Sequence, residues 1–285
     1  MKRLLFSLVL AFAVVSLQAQ LLWKVSGNGL VKDSYILGTV HIVPAYVMDI
    51  IPGLNTALEN CDVVVGETDI KDDNPDEPKW YTAPADSTLD KLFVPEDYGL
   101  IQDKLNRIAG KVLDFSKLNQ CKPVKIYIEM MKMMIMHDYS DDDFFYFIDD
   151  GIMKRAMDMG RQTMGLEDEK FQTDLIVELI GNSPLDRQAD MLMELLLNNE
   201  AIEVMRSDIF QAIGRYTIQR LDYYESDYDE DEKLVSARNR DWIPKLEALM
   251  PRQSCLVVVG IDHLLGEQGV LNLLLGRGYT LEPMK

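Results

Sequence analysis

Two short apolar runs end in the same way, and they constrain the fold more than any other feature of the chain. SYILGTVH carries Gly38 and then His41, and CLVVVGIDH carries Gly260 and then His263. A short apolar run bounded by a glycine predicts a buried β-strand, and the glycine is expected to let the backbone leave the sheet sharply. Each histidine is therefore predicted to lie in the loop at the tip of a strand. A structural role, with the ring bonded to a backbone carbonyl, is the alternative for each.

The other strand signals predict an α/β fold with a mixed, largely parallel central sheet flanked by helices. Residues 22–40 contain two β-rich runs on either side of Gly27, Asn28 and Gly29, which predicts an N-terminal β-hairpin. A helical stretch and the apolar run DVVVG follow. A strand, a helix and a strand in this order predict a right-handed parallel crossover.

Two carboxylates follow predicted strands. Glu67 comes directly after VVVG, and Glu167 ends the short predicted strand QTMGLE. Ligands bind at the carboxyl ends of the strands in open α/β sheets, so Glu67 is expected at the same edge as His41. A solvated loop carboxylate is the alternative interpretation of Glu67.

The first residues predict export. Residues 1–19 have the layout of a secretory signal peptide, because Lys2 and Arg3 precede an apolar stretch too short for a comfortable membrane span. The protein is therefore predicted to reach the periplasm, the cell envelope or the extracellular space, without stable membrane insertion after cleavage. An uncleaved anchor helix is the alternative. Residues 20–285 are predicted to form a single domain with a helical insertion over about 89–160.

The predicted insertion contains the Met-rich run IYIEMMKMMIMH, which is apolar almost all round. Methionine adapts to irregular surfaces, so Met130 and Met134 are candidates for lining a groove that binds a peptide or another apolar ligand. Ordinary core filling is the competing interpretation. His137 follows neither a glycine nor a strand and is the weakest candidate among the three histidines.

The composition argues against several classes of partner and site. An excess of acids, 47 against 29 basic residues, gives a net charge of −18, which disfavours nucleic acid and anionic membranes as partners. Cys61, Cys121 and Cys255 are too few and too widely spaced for a disulfide scaffold or a zinc knot. A pair between Cys61 and Cys255 stays open beside buried free thiols. The acidic run at 222–232 fails the EF-hand pattern, because Glu232 stands where the tight-turn glycine belongs.

The strand-end side chains suit hydrolysis. Two histidines and a carboxylate are a common ligand set for a divalent metal, so His41, Glu67 and His263 are the predicted ligands. A bound ion would lower the pKa of a water to roughly 7. Either histidine is also able to act without metal, as a general base oriented by Glu67. Arg238 is a candidate for stabilising an oxyanion in both schemes, and its i, i+4 spacing from Trp242 places the two on one helix face.

At these residues the chain resembles the TraB/GumN family, to which the Tiki metalloproteases are related. YILGTVH resembles the first Gly-x-x-His motif of that family, VVVGETD its acidic strand end, and SARNRDW its Arg-Asn motif, here Arg238 and Asn239. DDGIMKRAMDMGRQTMGLEDEKFQ resembles the segment around Gly-Leu-Glu, here ending at Glu167 with Gln172 following. VVVGIDHLLGEQGVLNLLLGRGYTLEPM resembles the C-terminal signature, which includes His263.

The resemblance implies an α/β fold related to the erythromycin-esterase and ChaN-like group. It implies a metal-dependent protease of the Tiki type, with Mn²⁺ or Co²⁺ as the preferred ion and a peptide or protein as the substrate. Zn²⁺ is a further candidate for the same ligand set. Glu167 and Asn239 are expected behind the ligands, where they would orient them. The sequence departs from the family at Gly66, which precedes Glu67 where relatives often have an apolar residue.

Together these features predict an exported, metal-assisted hydrolase with His41, Glu67, Arg238 and His263 as its catalytic groups. A metal-free, esterase-like hydrolase is one alternative. A non-catalytic module that captures a peptide or an apolar ligand through the Met-rich helices is the other. No H-E-x-x-H, G-x-S-x-G, P-loop or G-x-G-x-x-G motif competes with these interpretations.

Overall fold

The structure, a computed structural model, describes residues 20–70, 80–139, 146–219 and 232–284. The predicted signal peptide at 1–19 and nearly all of the acidic run that was tested against the EF-hand pattern lie outside these residues. In the part of the chain that is described, none of the helices combines the length and the apolar character needed to cross a membrane.

The strands form one six-stranded sheet. In chain order they are β1 (Leu22–Gly27), β2 (Ser34–Thr39), β3 (Val63–Gly66), β4 (Gln162–Gly165), β5 (Cys255–Gly260) and β6 (Tyr279–Pro283). Their order in the sheet is β4-β3-β5-β2-β1-β6. The β3–β4, β3–β5 and β2–β5 pairs are parallel, whereas β1 pairs antiparallel with β2 and with β6. The predicted α/β fold, with a mixed, largely parallel sheet and an N-terminal hairpin, is confirmed.

The apolar composition of the central strands is explained by their burial. Every residue of β2, β3 and β5 is buried, as expected for continuous apolar runs in the parallel part of a sheet. The β1–β2 hairpin turns through Gly27, Asn28 and Gly29, which all have positive φ. Glycine adopts that conformation without steric cost, so the turn fits the residues present.

Eleven α-helices surround the sheet within the described ranges. They are α1 (Leu54–Asn60), α2 (Leu89–Leu92), α3 (Pro95–Ala109), α4 (Phe115–Leu118), α5 (Pro123–Tyr139), α6 (Ile148–Asp158), α7 (Glu169–Ile176), α8 (Leu185–Leu197), α9 (Asn199–Thr217), α10 (Ala237–Leu249) and α11 (Val270–Gly276). Helices α3, α5, α8 and α9 pack on one another. These four helices come from two stretches of sequence, on either side of β4.

The Met-rich helix α5 turns its predicted groove residues inward. Met130 and Met134 are 0% and 1% exposed and belong to the hydrophobic core, so the prediction that they line a groove was wrong. An apolar groove of about 830 Å³ does lie between α5 and α8, but other side chains line it, among them Tyr127, Met131 and Met191. Because the run is apolar on all sides, its periodicity gave no sign of which face is buried.

All three cysteines are free. Cys61 lies just before β3 and Cys255 opens the neighbouring β5, and both are completely buried. Burial raises the pKa of Cys61 to about 11 and that of Cys255 to about 12. Both thiols are therefore protonated at neutral pH and behave as small apolar side chains.

Candidate active site

The carboxyl ends of the parallel strands gather the predicted site residues at one edge of the sheet. His41 follows β2, Glu67 follows β3, Glu167 follows β4, and His263 ends a single helical turn, Ile261–His263, after β5. Glu67 Oε1 lies 3.6 Å from His41 Nε2 and 3.7 Å from His263 Nε2. Two imidazoles from opposite ends of the sequence therefore point at the same carboxylate oxygen.

The glycines of the two Gly-x-x-His motifs serve different purposes, and neither has positive φ. A Cβ on Gly38, within β2, would lie 2.5 Å from Ile261 Cδ1, so this glycine lets the turn that carries His263 pack against the strand. A Cβ on Gly260 would lie 2.9 Å from His41 Nε2 and 3.3 Å from the Glu67 carboxylate. The chain does leave the sheet directly after Gly260, but neither glycine adopts a conformation that only glycine allows, and both provide space for neighbouring side chains.

Strand pairing sets the two glutamates side by side. The β3–β4 ladder continues past both strands, because Leu166 N donates to Gly66 O at 2.9 Å and Glu167 N donates to Glu67 O at 2.8 Å. A Cβ on Gly66 would come within 2.7 Å of Thr68 O. The glycine that departs from the family pattern therefore makes room for the turn that follows Glu67.

All five N–H groups of Arg238, the second residue of α10, face acceptors inside the site. Its Nε donates to Glu167 Oε1 at 3.0 Å, and its Nη2 donates to Glu67 Oε2 at 2.6 Å and to Glu167 Oε2 at 2.9 Å. Its Nη1 donates to Leu234 O at 2.9 Å and faces His263 Nε2 at 3.2 Å. In this arrangement each N–H of Arg238 already has an acceptor within the site, and its role toward a substrate oxyanion stays a prediction.

Charge and stacking secure this guanidinium. Burial lowers the pKa of Arg238, but its bonds to Glu167 and Glu67 outweigh burial and raise that pKa. The Arg238 Cζ lies 4.9 Å from the centre of the Trp242 ring, in agreement with their predicted position on one helix face. The Trp242 Nε1 in turn donates to Glu167 Oε1 at 2.8 Å, so the same ring also fixes the carboxylate.

Glu67 is the carboxylate that contacts both imidazoles and the guanidinium of the site. Its Oε1 accepts from Gly260 N at 2.8 Å, and its Oε2 accepts from Arg238 and from Gln172 Nε2 at 3.1 Å. Burial raises the pKa of Glu67, but the two imidazoles, the guanidinium and the Gly260 N–H together lower it to about 2. Glu67 is therefore ionised at any physiological pH. Gln172, noticed in the sequence only as part of a motif, also reaches Glu167 Oε2 at 3.4 Å and bridges the two glutamates.

His263 is held as a neutral ring of known tautomer. Its Nδ1 lies 2.7 Å from Asn239 Oδ1, and the Asn239 Nδ2 donates to His263 O and to Gln268 O. Because the amide nitrogen faces two carbonyls, the amide oxygen must face the ring, so Nδ1 carries the proton and Nε2 is the acceptor. Desolvation, helped by Arg238 and His41 and opposed by Glu67, lowers the pKa of His263 to about 4.

His41 has the opposite environment. Its side chain is 59% exposed, against 5% for that of His263. Its Nδ1 lies 3.0 Å from Asp149 Oδ2, in the first turn of α6. Desolvation lowers the pKa of His41, but the Asp149 carboxylate and then Glu67 outweigh it and raise the pKa to about 9. Asp149 was missed in the sequence, where it is one of several acids in DDDFFYFIDD and nothing distinguishes it from its neighbours.

A cleft of about 270 Å³ opens over one side of this cluster. His41, Glu67 and Gln172 line it together with acidic and apolar side chains, namely Asp149, Asp150, Ile70, Phe147 and Met153. His263, Arg238 and Asn239 lie behind it and are buried. Of the two predicted metal-ligating histidines, only His41 is therefore placed to meet a ligand from solvent.

The residues at this edge fit a metal ion in part. Within the described ranges, no three His, Cys, Asp or Glu side chains are arranged to hold an ion as they stand. His41 Nε2 and Glu67 Oε1 nevertheless border the space that a Cβ on Gly260 would fill, and their donor types suit Mn²⁺, Co²⁺ or Zn²⁺. Both imidazoles are also held through Nδ1, as metal-binding histidines usually are. The discordant contact is Arg238 Nη1, which occupies the lone pair of His263 Nε2.

Comparison with known proteins assigns a family but no close relative. No curated protein and no solved structure matches the chain. The sequence model of the TraB/PrgY/gumN family matches residues 21–283, a range that contains all six strands and every site residue described above. The resemblance found in the sequence is therefore confirmed, and the chain belongs to the TraB/PrgY/gumN family.

Proposed function

We propose that the protein is a metal-assisted hydrolase that cleaves a peptide bond. The main support is the convergence of His41 Nε2 and His263 Nε2 on a single oxygen, Glu67 Oε1, while Asp149 and Asn239 hold the two rings through Nδ1. Two imidazoles and a carboxylate, each oriented from behind, form a ligand set typical of metal-dependent hydrolases.

The charge balance supports a cation at the cleft. Glu67, Glu167 and Asp149 belong to one contact network with a single guanidinium, that of Arg238, and both imidazoles are neutral in their ligating form. Three carboxylates and one guanidinium leave a net charge of −2 when both imidazoles are neutral, and a divalent ion would balance that charge. In the metal-free protein the raised pKa of His41 keeps a proton on that ring near neutral pH, and the ion would displace this proton. Arg238 contacts Glu67 and Glu167 and offsets part of their charge. Asp149 contacts His41 instead, so the excess negative charge lies on the side of the site that carries His41.

The division of work among the side chains follows from their exposure. When bound at His41, Glu67 and His263, a divalent ion would supply a water of lowered pKa and polarise the substrate carbonyl. Glu67 is kept ionised by Arg238 and by the Gly260 N–H. His41 presents Nε2 to the cleft, where it holds or moves a proton when it is not a ligand.

The substrate class rests on two supports. The resemblance to the Tiki metalloproteases points to a peptide bond, and fold membership alone would not. The cleft is lined by apolar side chains beside the acids, among them Ile70, Phe147 and Met153, and its volume of about 270 Å³ suits a few residues of an extended peptide. We further propose that the protein is exported, because residues 1–19 have the layout of a signal peptide.

A metal-free hydrolase is the second candidate, and one contact favours it. Arg238 Nη1 already engages His263 Nε2, so a fixed positive charge stands where the third metal ligand would bind. In that case His41, oriented by Asp149, is the general base once it has lost its proton, and its raised pKa of about 9 places that activity at alkaline pH. The site would then resemble the Asp–His part of a catalytic triad, with Glu67 and Arg238 as its fixed charges.

Peptide cleavage with controlled metal content separates these candidates. Purified protein is stripped with chelator, incubated with a mixed peptide library, and assayed by mass spectrometry with and without added Mn²⁺, Co²⁺ or Zn²⁺. Metal-assisted hydrolysis predicts cleavage only after metal is restored, and its loss in Glu67→Gln. Equal cleavage in the stripped protein would favour the metal-free candidate, and no cleavage under any condition would contradict both.

A further inference from the structure

The loop that carries His41 is clamped to the start of α6. Ile148 N donates to Val43 O at 2.8 Å, and Ala45 N donates to Tyr146 O at 2.9 Å. A Cβ on Gly151 would come 2.5 Å from Ala45 Cβ, so the glycine lets helix and loop approach closely. The first turn of α6 therefore has a defined position relative to the loop, although the two are about 100 residues apart in sequence.

Asp149 stands in that first turn and uses both of its oxygens. Its Oδ1 accepts from Thr39 Oγ1 at 2.6 Å, and its Oδ2 lies 3.0 Å from His41 Nδ1. Thr39 is the last residue of β2 and is buried, so the carboxylate is anchored to the sheet itself. A carboxylate only accepts hydrogen bonds, so the proton between Asp149 and His41 belongs to the ring nitrogen Nδ1.

The hydrogen bond at one ring nitrogen decides the state of the other. With its proton on Nδ1, a neutral His41 directs the lone pair of Nε2 toward Glu67 Oε1, 3.6 Å away, and toward the cleft. That lone pair is what a metal ligand or a general base requires. An exposed imidazole without a partner at Nδ1 would sample both tautomers and several orientations.

We propose that Asp149 is the positioning residue of His41, which fixes the ring and its tautomer so that Nε2 faces Glu67 and the cleft. The inference deepens the proposed function. It rests on that function only for the task of Nε2, which is to bind a metal or to accept a proton. Within the described ranges, Asp149 and Glu67 are the acidic side chains within 4 Å of the ring nitrogens of His41. Neither the motif spacing nor the predicted ligand set assigns Asp149 a role.

The next residue offers a matched control. Asp150 lies in the same first turn of α6 and lines the same cleft, so Asp150→Ala removes the same charge from the same helix end. Asp149→Ala also removes the acceptor of the His41 ring, while the Thr39 hydroxyl keeps a backbone carbonyl as its acceptor. Alanine is chosen because an asparagine would offer an amide oxygen, the group that holds the ring of His263. A difference between the two alanine variants therefore reports the hydrogen bond to the His41 ring.

The first readout is the tautomer of His41, from ¹⁵N NMR of the metal-free protein. The chain has only three histidines, so the ring signals are readily assigned. At a pH above the His41 pKa, the wild type and Asp150→Ala are expected to show the Nδ1–H tautomer, whereas Asp149→Ala is expected to shift toward Nε2–H. A wild type with mixed tautomers, or an Asp149→Ala variant that keeps the wild-type tautomer, would overturn the inference.

The second readout is the affinity for Mn²⁺ by calorimetry, with thermal unfolding as a check on folding. Asp149→Ala is expected to weaken binding by about 10- to 100-fold, and Asp150→Ala by less than about fivefold. Equal losses in both variants would contradict a specific role for Asp149. If the wild type binds no metal, the metal-assisted function fails, and the tautomer comparison alone decides the role of Asp149.

Discussion

The two Gly-x-x-His units are alike in sequence and opposite in environment. His41 is largely exposed, is bonded to a carboxylate, and has a pKa raised to about 9. His263 is buried, is bonded to a neutral amide, and has a pKa lowered to about 4. A motif can therefore deliver an imidazole to a strand end without setting its charge. Partners from other elements, Asp149 on α6 and Asn239 on α10, set the charge instead.

This difference assigns the two rings separate tasks within one site. His263 is locked between Asn239 and Trp242, whose ring centre lies 4.4 Å from its own, and it stays neutral over the physiological range. His41 faces the cleft and is the ring able to exchange protons or ligands with solvent. Glu67 joins them, because its Oε1 is the oxygen nearest to both Nε2 atoms.

The largest effect is expected from the residue that links the two rings. Glu67→Gln removes the shared charge while keeping the size of the side chain, and it leaves Arg238 with Glu167 as its only carboxylate. We expect peptide cleavage to fall by about 10²- to 10⁴-fold, together with loss of bound metal. Asp62→Asn is the matched control, because Asp62 lies at the opposite end of β3, paired with Lys32 at 2.9 Å. Comparable losses in the two variants would contradict a special role for Glu67.

Substitutions of the two motif glycines are expected to have different effects on activity and on stability. Gly260→Ala places a methyl group between His41 Nε2 and Glu67 Oε1, so cleavage and metal affinity are expected to fall by about 10²-fold with little change in stability. Gly38→Ala presses on Ile261 and is expected to destabilise the fold by about 1–3 kcal/mol. Activity assays and urea unfolding of both variants check this. The same pattern of losses in both would show that the glycines do not differ in purpose.

The stability of the protein at acid pH tests the environment of His263, the buried ring. Because the pKa of His263 is depressed from 6.5 to about 4, its contribution is present above pH 6.5 and is lost as the pH falls toward 4. This contribution of His263 to the free energy of unfolding is about 3 kcal/mol at most. Glu67 loses its contribution only between pH 4.5 and about 2, and His41, whose pKa is raised, loses its own between pH 6.5 and about 9.

Urea unfolding at pH 6.5 and pH 4.5 therefore reports mainly on His263 among these three groups. The slope of the unfolding free energy between these pH values should be flatter in His263→Gln than in the wild type, and unchanged in His41→Gln. A flatter slope in His41→Gln would reverse the assignment of the two environments.

The smallest effect is expected from Trp242, which contacts only the His263 side of the site. Trp242→Phe keeps a ring against His263 and Arg238 but removes the hydrogen bond from Nε1 to Glu167 Oε1. A cost of about 1.5 kcal/mol in unfolding free energy is expected, since the lost bond involves a charged acceptor. The tautomer of His41 should not change, and a change measured by NMR would show that the two sides are coupled.

Much of the fold was predictable because the signal was local. The buried runs SYILGT and CLVVVG can hardly form anything but covered strands, and their order predicts the parallel sheet. The meeting of His41, Glu67 and His263 then follows from the shared carboxyl edge of that sheet. Their catalytic roles stay predictions, as do the signal peptide and the metal.

The remaining features depend on packing between distant elements, which composition and spacing do not encode. Asp149 is distinguished from its acidic neighbours only by the docking of α6 on the His41 loop. Met130 and Met134 are buried because of the way α5 packs, a choice that an all-apolar helix leaves open. The full engagement of Arg238 could not be foreseen either, since its five acceptor atoms belong to four residues, three of which lie far from it in sequence.

The most direct test of the account is a Zn²⁺ titration followed by ¹⁵N NMR of the three histidine rings. We predict that one equivalent of Zn²⁺ shifts the Nε2 signals of both His41 and His263, leaves His137 unchanged, and has neither effect in Glu67→Gln. Binding that leaves both site rings unshifted, or that persists unchanged in Glu67→Gln, would contradict a single metal site shared by two unequal imidazoles.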